Sequence, residues 1–180
     1  DSLFRHKLGY NKETMACLFI PETYQVYWDM SVEDFFKRMR KEHQRFWNQK
    51  RLDQAKAIGM TPEEVCTLAS IVEEETNNNP EKPMVAGLYI NRLHAGMPLQ
   101  ADPTVKFALQ DFGLRRITNE HLTIDSPYNT YRNPGLPPGP IRIPSPVGLD
   151  AVLNHAKHNY IYMCAKEDFS GTHNFASNYA

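Results

Sequence analysis

Apolar residues recur at helical spacing between residues 61 and 79. Thr61, Pro62 and Glu64 have the pattern of a capping box with proline at the first helical position. At about 100° per residue, the apolar positions after them fall on one stripe. These positions are Val65, Leu68, Ile71 and Val72. The pattern predicts a helix that begins at Pro62 and runs out at residues 77–79.

This predicted helix ends in three consecutive glutamates, Glu73, Glu74 and Glu75. Glu75 follows Ile71 by four positions and therefore points into the apolar stripe, while Glu74 points to the opposite side and Glu73 lies on the flank. Burial and neighbouring carboxylates both raise a carboxyl pKa, as a general acid near neutral pH requires. The alternative is that the helix frays at Glu75 and all three carboxylates are solvated.

A second helix is predicted immediately afterwards. The sequence Asn79-Pro80 starts it, the run PMVAGLYINRLH continues it, and Gly96 closes it. Two helices joined by a short turn rich in asparagine form a helical hairpin.

The flanking segments predict a mixture of elements. Residues 14–20 read as a short strand that ends at Pro21, and Ser31 caps a helix that continues into the low 50s and ends before Gly59. Residues 97–104 read as extended, ahead of a short helix. Ser145-Pro146 starts a helix through about His155, and residues 160–165 and 172–176 read as strands.

A long loop separates the last two predicted helices. Residues 126–146 hold seven of the chain's 13 prolines, and a loop this long in a compact domain is usually functional. The predicted fold class is therefore α+β, with a helical hairpin that carries Glu75, packed with a small antiparallel sheet and this proline-rich loop.

Composition narrows the function classes. The chain has 180 residues, 41% of them hydrophobic, and a formal net charge of −1, which suits one domain with a buried core and disfavours nucleic acid as a partner. Cys17, Cys66 and Cys164 are scattered through apolar surroundings, which predicts small buried side chains rather than disulfides. His155 and His158 lack the companion ligands of a zinc site, so neither a metal nor another cofactor is expected.

Further polar clusters carry candidate chemistry. Asn91-Arg92 ends the second hairpin helix and fits either a helix cap or a site. Asp102 fits either a turn residue or a second carboxylate of a site. The stiff loop adds two aromatic rings and two hydrogen-bonding side chains that suit a sugar, namely Tyr128, Asn129, Thr130 and Tyr131.

The ordered blocks of the chain resemble the endolytic murein transglycosylases of the YceG-like (MltG) family. The resemblance runs from about residue 14 to the end of the sequence. The matching blocks are FIPETY (19–24), LASIVEEET (68–76), YINRL (89–93), GMPLQADPTV (96–105), YNTY (128–131), GLPPGPI (135–141), YIYM (160–163) and HNF (173–175).

The resemblance implies a lytic transglycosylase. Such enzymes cleave the MurNAc-β-1,4-GlcNAc bond and leave 1,6-anhydroMurNAc ends, and they need a single catalytic carboxylate. The family's catalytic glutamate falls on Glu75. The residues expected to orient Glu75 or to hold sugar are Glu73, Asn91, Gln100, Asp102, Thr104, Tyr128, Asn129, Thr130 and Tyr131.

The resemblance also implies an organisation and a setting. Residues 1–13 are expected to be the end of an upstream subdomain or a linker, and residues 14–180 the catalytic domain of a longer protein. That protein would be anchored in the cytoplasmic membrane, face the periplasm or exterior, and work on peptidoglycan strands beside peptidoglycan synthases. Two alternatives remain at this point: a hydrolytic muramidase, and a glycan-binding or scaffold module without catalysis.

Overall fold

The chain is mainly helical in a computed structural model that describes residues 2–21 and 29–179. Short 3₁₀ turns lie at Met15–Leu18, Asn79–Glu81 and His121–Thr123. The helices are α1 (Ser2–Lys7), α2 (Val32–Phe46), α3 (Gln49–Ile58), α4 (Pro62–Glu75), α5 (Lys82–His94), α6 (Asp102–Leu109) and α7 (Pro146–Leu153). None of the described helices combines the length and the apolar composition that crossing a lipid bilayer requires.

A small antiparallel sheet completes the fold. Strand β1 (Tyr162–Ala165) pairs with β2 (His173–Ala176), and Ala165 lies opposite His173. Helices with a two-stranded antiparallel sheet confirm the predicted α+β class.

The helical hairpin forms as the sequence predicts. Thr61 and Glu64 make both hydrogen bonds of the capping box, and Pro62 is the first residue of α4. Helix α4 ends at Glu75, slightly before the predicted boundary, and the chain re-enters helical structure at Asn79–Glu81 and continues as α5. The turn after α5 contains Gly96, whose φ of +67° suits glycine.

The core lies where α4, α5 and α7 pack against one another. Most of α4 is buried, so its apolar surface extends beyond the single stripe that periodicity indicates. Fully buried side chains from the three helices are Leu68, Ile71, Val72, Val85, Leu88, Leu149 and Val152. This packing fixes the relative positions of the ends of α4 and α5.

The prediction of a strand at residues 14–20 is wrong. Residues Met15–Leu18 form a 3₁₀ turn whose Cys17 and Leu18 are buried against the helical core. A short apolar run fits a buried turn as well as a buried strand, and periodicity alone does not separate the two. The expectation that strands come from both ends of the chain fails with it, because both described strands lie near the C-terminus.

Two other expectations need correction. The helix that begins after Ser31 does not continue into the low 50s but ends at Phe46, because Trp47 leaves the helix and the Asn48 side chain caps α3 by accepting from the Arg51 N–H. Cys17 and Cys66 are buried as predicted, whereas Cys164 is exposed on β1. Residues 22–24 of the FIPETY block lie outside the described residues.

Candidate active site

A cavity of about 350 Å³ opens between the helical hairpin and the small sheet. Side chains from α4, α5, the start of α6, the proline-rich loop and both strands reach it. Its polar lining residues include Glu75, Tyr89, Arg92, Gln100, Asp102, Tyr131 and His173. Titratable groups gathered in one concave site are the usual mark of an active site.

Glu75 is the last residue of α4 and projects into this cavity. The buried Tyr89, on the facing helix α5, donates its hydroxyl proton to Glu75 Oε1 at 2.6 Å. The two residues are fourteen apart in sequence and meet because the hairpin brings the end of α4 alongside α5. The carboxyl group is therefore held in one orientation.

The pKa of Glu75 is raised above its usual value. Burial is the largest cause, and the negative charge of Asp102 adds to it. The hydrogen bond from Tyr89 and the electrostatic interactions with His173 and Lys106 lower the pKa of Glu75 but do not cancel the rise. A carboxyl with a raised pKa retains its proton closer to neutral pH, which suits a general acid.

The three consecutive glutamates occupy three different environments. Glu73 is buried and accepts from the N–H and the hydroxyl of Ser145, and it pairs with Lys82 Nζ at 3.7 Å. Glu74 is exposed and pairs with Arg142 at 3.0 Å. Among the three, only Glu75 lines the cavity. Glu73 instead joins α4 to the start of α5 and to the N-terminus of α7.

Of the other residues expected at the site, Gln100, Asp102 and Tyr131 line the same cavity as Glu75. The Tyr131 hydroxyl donates to Asp102 Oδ1, so that the loop and the start of α6 are linked at the cavity rim. Burial, this hydrogen bond and the charge of Asp102 raise the pKa of Tyr131. The phenol therefore stays protonated and remains a donor.

Three other predicted site residues lie buried behind the cavity wall. Thr104 and Thr130 hydrogen-bond each other through their hydroxyls at 2.8 Å, and Thr130 Oγ1 accepts from the Ala101 N–H. The Asn129 amide donates to the carbonyls of Leu122 and Ile124. The threonine bonds connect the proline-rich loop to the segment that carries Gln100 and Asp102, and the Asn129 bonds connect it to the residues that precede the loop.

Asn91 and Tyr128 lie outside the cavity lining. The Asn91 amide donates to the carbonyl oxygens of His158 and Tyr160, and so fixes the chain that enters β1. The Tyr128 ring packs against Phe107, with ring centroids 4.7 Å apart, and borders a separate groove beside Ile141 and Arg142.

Tyr89, Arg92 and His173 also line the cavity. The sequence left Arg92 open as either a helix cap or a site residue, and it did not identify Tyr89 or His173. The Arg92 guanidinium donates to the carbonyls of Ile161 and Pro98, at 2.7 and 2.8 Å, and thereby holds the sheet against the hairpin. All three residues fall within the blocks YINRL and HNF, and membership of these blocks was the sequence feature that could have identified them. Nothing in those blocks separates a site residue from a packing residue.

No cluster of three or more potential metal ligands occurs among residues 2–21 and 29–179. His155 contacts the Val152 carbonyl through Nδ1, and His158 contacts the Met84 carbonyl through Nε2. Each of the two histidines is thus engaged with the backbone of a packed helix.

The chain is similar to known proteins over most of its length. The model of the YceG-like family matches residues 3–180. An endolytic murein transglycosylase of Bacillus subtilis is 36% identical over 140 residues, which are 78% of this chain and 38% of that protein. One of Streptococcus pneumoniae strain D39 is 35% identical over 114 residues, 61% of this chain and 21% of that protein.

A solved structure has the same fold. The 2.6 Å crystal structure of a YceG-like protein from Listeria monocytogenes superposes with a TM-score of 0.78 at 34% identity, over 90% of this chain and 52% of that one. The chain thus spans about half or less of each protein that it matches. Because the family model matches nearly the whole chain and a solved member shares its fold, the chain belongs to the YceG-like family.

Proposed function

We propose that this chain is the catalytic part of an endolytic peptidoglycan transglycosylase. It would cleave MurNAc-β-1,4-GlcNAc bonds within glycan strands and leave 1,6-anhydroMurNAc ends. The observation that carries the proposal is Glu75, a carboxyl of raised pKa that Tyr89 orients in a cavity. The similarity to proteins named endolytic murein transglycosylase supports the choice of substrate.

In the proposed reaction, Glu75 first acts as the general acid. It protonates the glycosidic oxygen as the bond from that oxygen to C1 of MurNAc breaks. The C6 hydroxyl of the same MurNAc attacks C1, and the proton of that hydroxyl restores Glu75 to its acid form. Intramolecular attack replaces water and gains the advantage of proximity. One carboxyl therefore suffices, whereas most glycoside hydrolases use two.

The predicted site residues then divide into two groups. Gln100, Asp102 and Tyr131 face the cavity and are proposed to contact the glycan. The others are proposed to orient these groups through the backbone or through neighbouring helices, from their positions behind or beside the cavity. They are Glu73, Asn91, Thr104, Tyr128, Asn129 and Thr130.

Product analysis tests the proposal. The chain is incubated with purified uncrosslinked glycan strands, and the new ends are identified by mass spectrometry. We expect 1,6-anhydroMurNAc ends from the unchanged chain and loss of cleavage in Glu75→Gln. Glu74→Gln is the matched control, because Glu74 is the neighbouring glutamate, carries the same charge and is exposed outside the cavity. It should leave cleavage unchanged.

Three results would contradict the proposal. Reducing ends in place of anhydro ends would indicate a hydrolase, in which Asp102 or another carboxylate activates water. Cleavage that survives in Glu75→Gln would remove Glu75 from the role of acid. A chain that binds glycan strands without cutting them would indicate a binding module.

The wider setting is proposed on the same similarity. A murein substrate places the activity in the cell envelope, and we propose anchorage of the parent protein in the cytoplasmic membrane with residues 14–180 on the outer side. Action beside peptidoglycan synthases would let the enzyme terminate or release nascent strands.

A further inference from the structure

His173, the first residue of β2, is held by the buried carboxylate of Glu81. The Nδ1 atom lies 3.0 Å from Glu81 Oε2, and the His173 backbone N–H donates to Glu81 Oε1 at 2.5 Å. The two side chains are 13% and 8% exposed. One carboxylate thus binds both the ring and the backbone of the same residue, which leaves the imidazole little freedom to rotate.

This contact determines which nitrogen of the His173 ring carries the proton. Burial raises the pKa of Glu81, but hydrogen bonds from His173 and from Thr76 outweigh it, and the net pKa is lowered. Glu81 is therefore a carboxylate, which can only accept, so Nδ1 carries a proton. In the neutral ring the lone pair is then on Nε2. Within the described part of the chain, no protein group hydrogen-bonds this atom, and the ring lines the cavity together with Glu75.

Glu81 also connects His173 to the end of α4. Thr76, the residue directly after Glu75, lowers the pKa of Glu81, so its side chain lies close to that carboxylate. The Glu81 carboxylate therefore lies between β2 and the end of α4. Thr76 and His173 belong to the separate blocks LASIVEEET and HNF.

Glu75 and His173 interact electrostatically in the cavity. A positive His173 lowers the pKa of Glu75, which means that an imidazolium stabilises the Glu75 carboxylate. The other charged groups nearby are Arg92, Asp102 and Lys106, of which Asp102 raises and Lys106 lowers the pKa of Glu75. The uncharged titratable groups of the lining are Tyr89, Tyr131, Tyr162, Cys164 and Tyr179.

We propose that His173 is a second catalytic residue, which relays the proton of the attacking hydroxyl to Glu75, and that Glu81 is its positioning residue. The inference rests on the proposed transglycosylase function and extends it. Glu75 gives its proton to the glycosidic oxygen as the C1–O bond breaks. The O6–C1 bond forms while the C6 hydroxyl proton passes to His173 Nε2. The imidazolium then returns that proton to the Glu75 carboxylate, and both groups are restored without water or a cofactor.

Steady-state kinetics as a function of pH test the relay. We expect His173→Gln to lower kcat by about 10²-fold, the usual contribution of a general base, with little change in KM. An acid and a base that act together give a bell-shaped profile of kcat against pH with two limbs. Loss of the His173 ring should remove one of these limbs. Glu81→Gln should lower kcat, because the His173 ring loses the carboxylate that positions it. The pH profile should keep both limbs, because the imidazole itself is still present. His94→Gln is the matched control, since His94 is exposed at the end of α5 and outside the cavity lining.

Chemical rescue provides the second readout. His173→Ala removes the ring but keeps the backbone N–H that binds Glu81, and added imidazole should restore its rate in proportion to the concentration of free base. A purely structural role would not be rescued in this way.

The outcomes separate this inference from the function on which it rests. If His173→Gln is folded by circular dichroism and keeps kcat or both limbs, or if imidazole fails to rescue a folded His173→Ala, the relay is wrong. Glu75→Gln would still be inactive in that case. If the unchanged chain produces no anhydro ends, the proposed function itself fails.

Discussion

Glu73→Gln is expected to destabilise the fold far more than Glu74→Gln. Glu73 and Lys82 form an ion pair at 3.7 Å with side chains 6% and 8% exposed. The amide would fill the same volume but would leave the Lys82 ammonium buried without its carboxylate. Removing one partner of a buried pair costs about 3–5 kcal/mol. Arg142 also pairs with Glu73 at 3.7 Å but is 44% exposed, so water can replace that contact.

We therefore expect a loss of about 3 kcal/mol in the free energy of unfolding, at the lower end of that range. In a chain of this size such a loss lowers Tm by roughly 6–12 °C. Glu74→Gln removes an exposed ion pair to Arg142 and should change the free energy of unfolding by no more than about 1 kcal/mol.

Urea denaturation followed by far-ultraviolet circular dichroism measures both variants under identical conditions. The m-value should be unchanged, since the surface exposed on unfolding is the same. A Glu73→Gln variant within about 1 kcal/mol of Glu74→Gln would show that Lys82 reaches solvent and that the buried pair is not a determinant of stability.

Three further results follow from the same structure. Gly148→Ala should lower the free energy of unfolding by about 1–3 kcal/mol in urea denaturation, because the new Cβ would collide with the Glu73 carboxylate. Gly113→Ala is the control and should not lower it, because only Asp111 lies near the position of its Cβ. Tyr89→Phe removes a hydrogen bond to the Glu75 carboxylate and should raise the pKa of Glu75, whereas Asp102→Asn removes a nearby negative charge and should lower that pKa. Carboxyl ¹³C NMR, with the Glu75 signal assigned through Glu75→Gln, measures both pKa shifts. Shifts of the same sign would contradict these electrostatic assignments. Because the pKa of Glu75 is raised in the folded state, ionisation of Glu75 opposes folding. Glu75→Gln should therefore be more stable than the unchanged chain at pH 7, by about 1.4 kcal/mol for each pKa unit by which folding raises the pKa. Thermal or urea denaturation should show this difference in stability vanish below about pH 4.

Features that depend only on neighbours along the chain follow from local sequence signals. The capping box at Thr61 fixed the start of α4, and helical spacing then separated Glu75 from Glu74 and placed it on the apolar side. Gly96 marked the end of the second helix, and Ser145-Pro146 marked the start of α7. Each of these signals acts over a few residues, within one turn or one helix, and therefore survives in the sequence alone.

Tertiary structure decided whatever depends on groups far apart in the chain. Whether residues 14–20 form a strand or a turn depended on the surface that buries Cys17 and Leu18, since an apolar run permits either. Glu73 lies on the flank of the apolar stripe, where spacing alone does not decide burial, and its burial follows from the packing of α7 on α4.

The set of residues that meet at the cavity also depends on contacts between groups far apart in the chain. Tyr89 reaches Glu75 across fourteen residues, and Glu81 reaches His173 across 92. No periodicity encodes such pairs, because they meet only when the hairpin closes and the sheet packs against it. The sequence thus singled out Glu75, the proposed acid, and the fold assembled the groups around it.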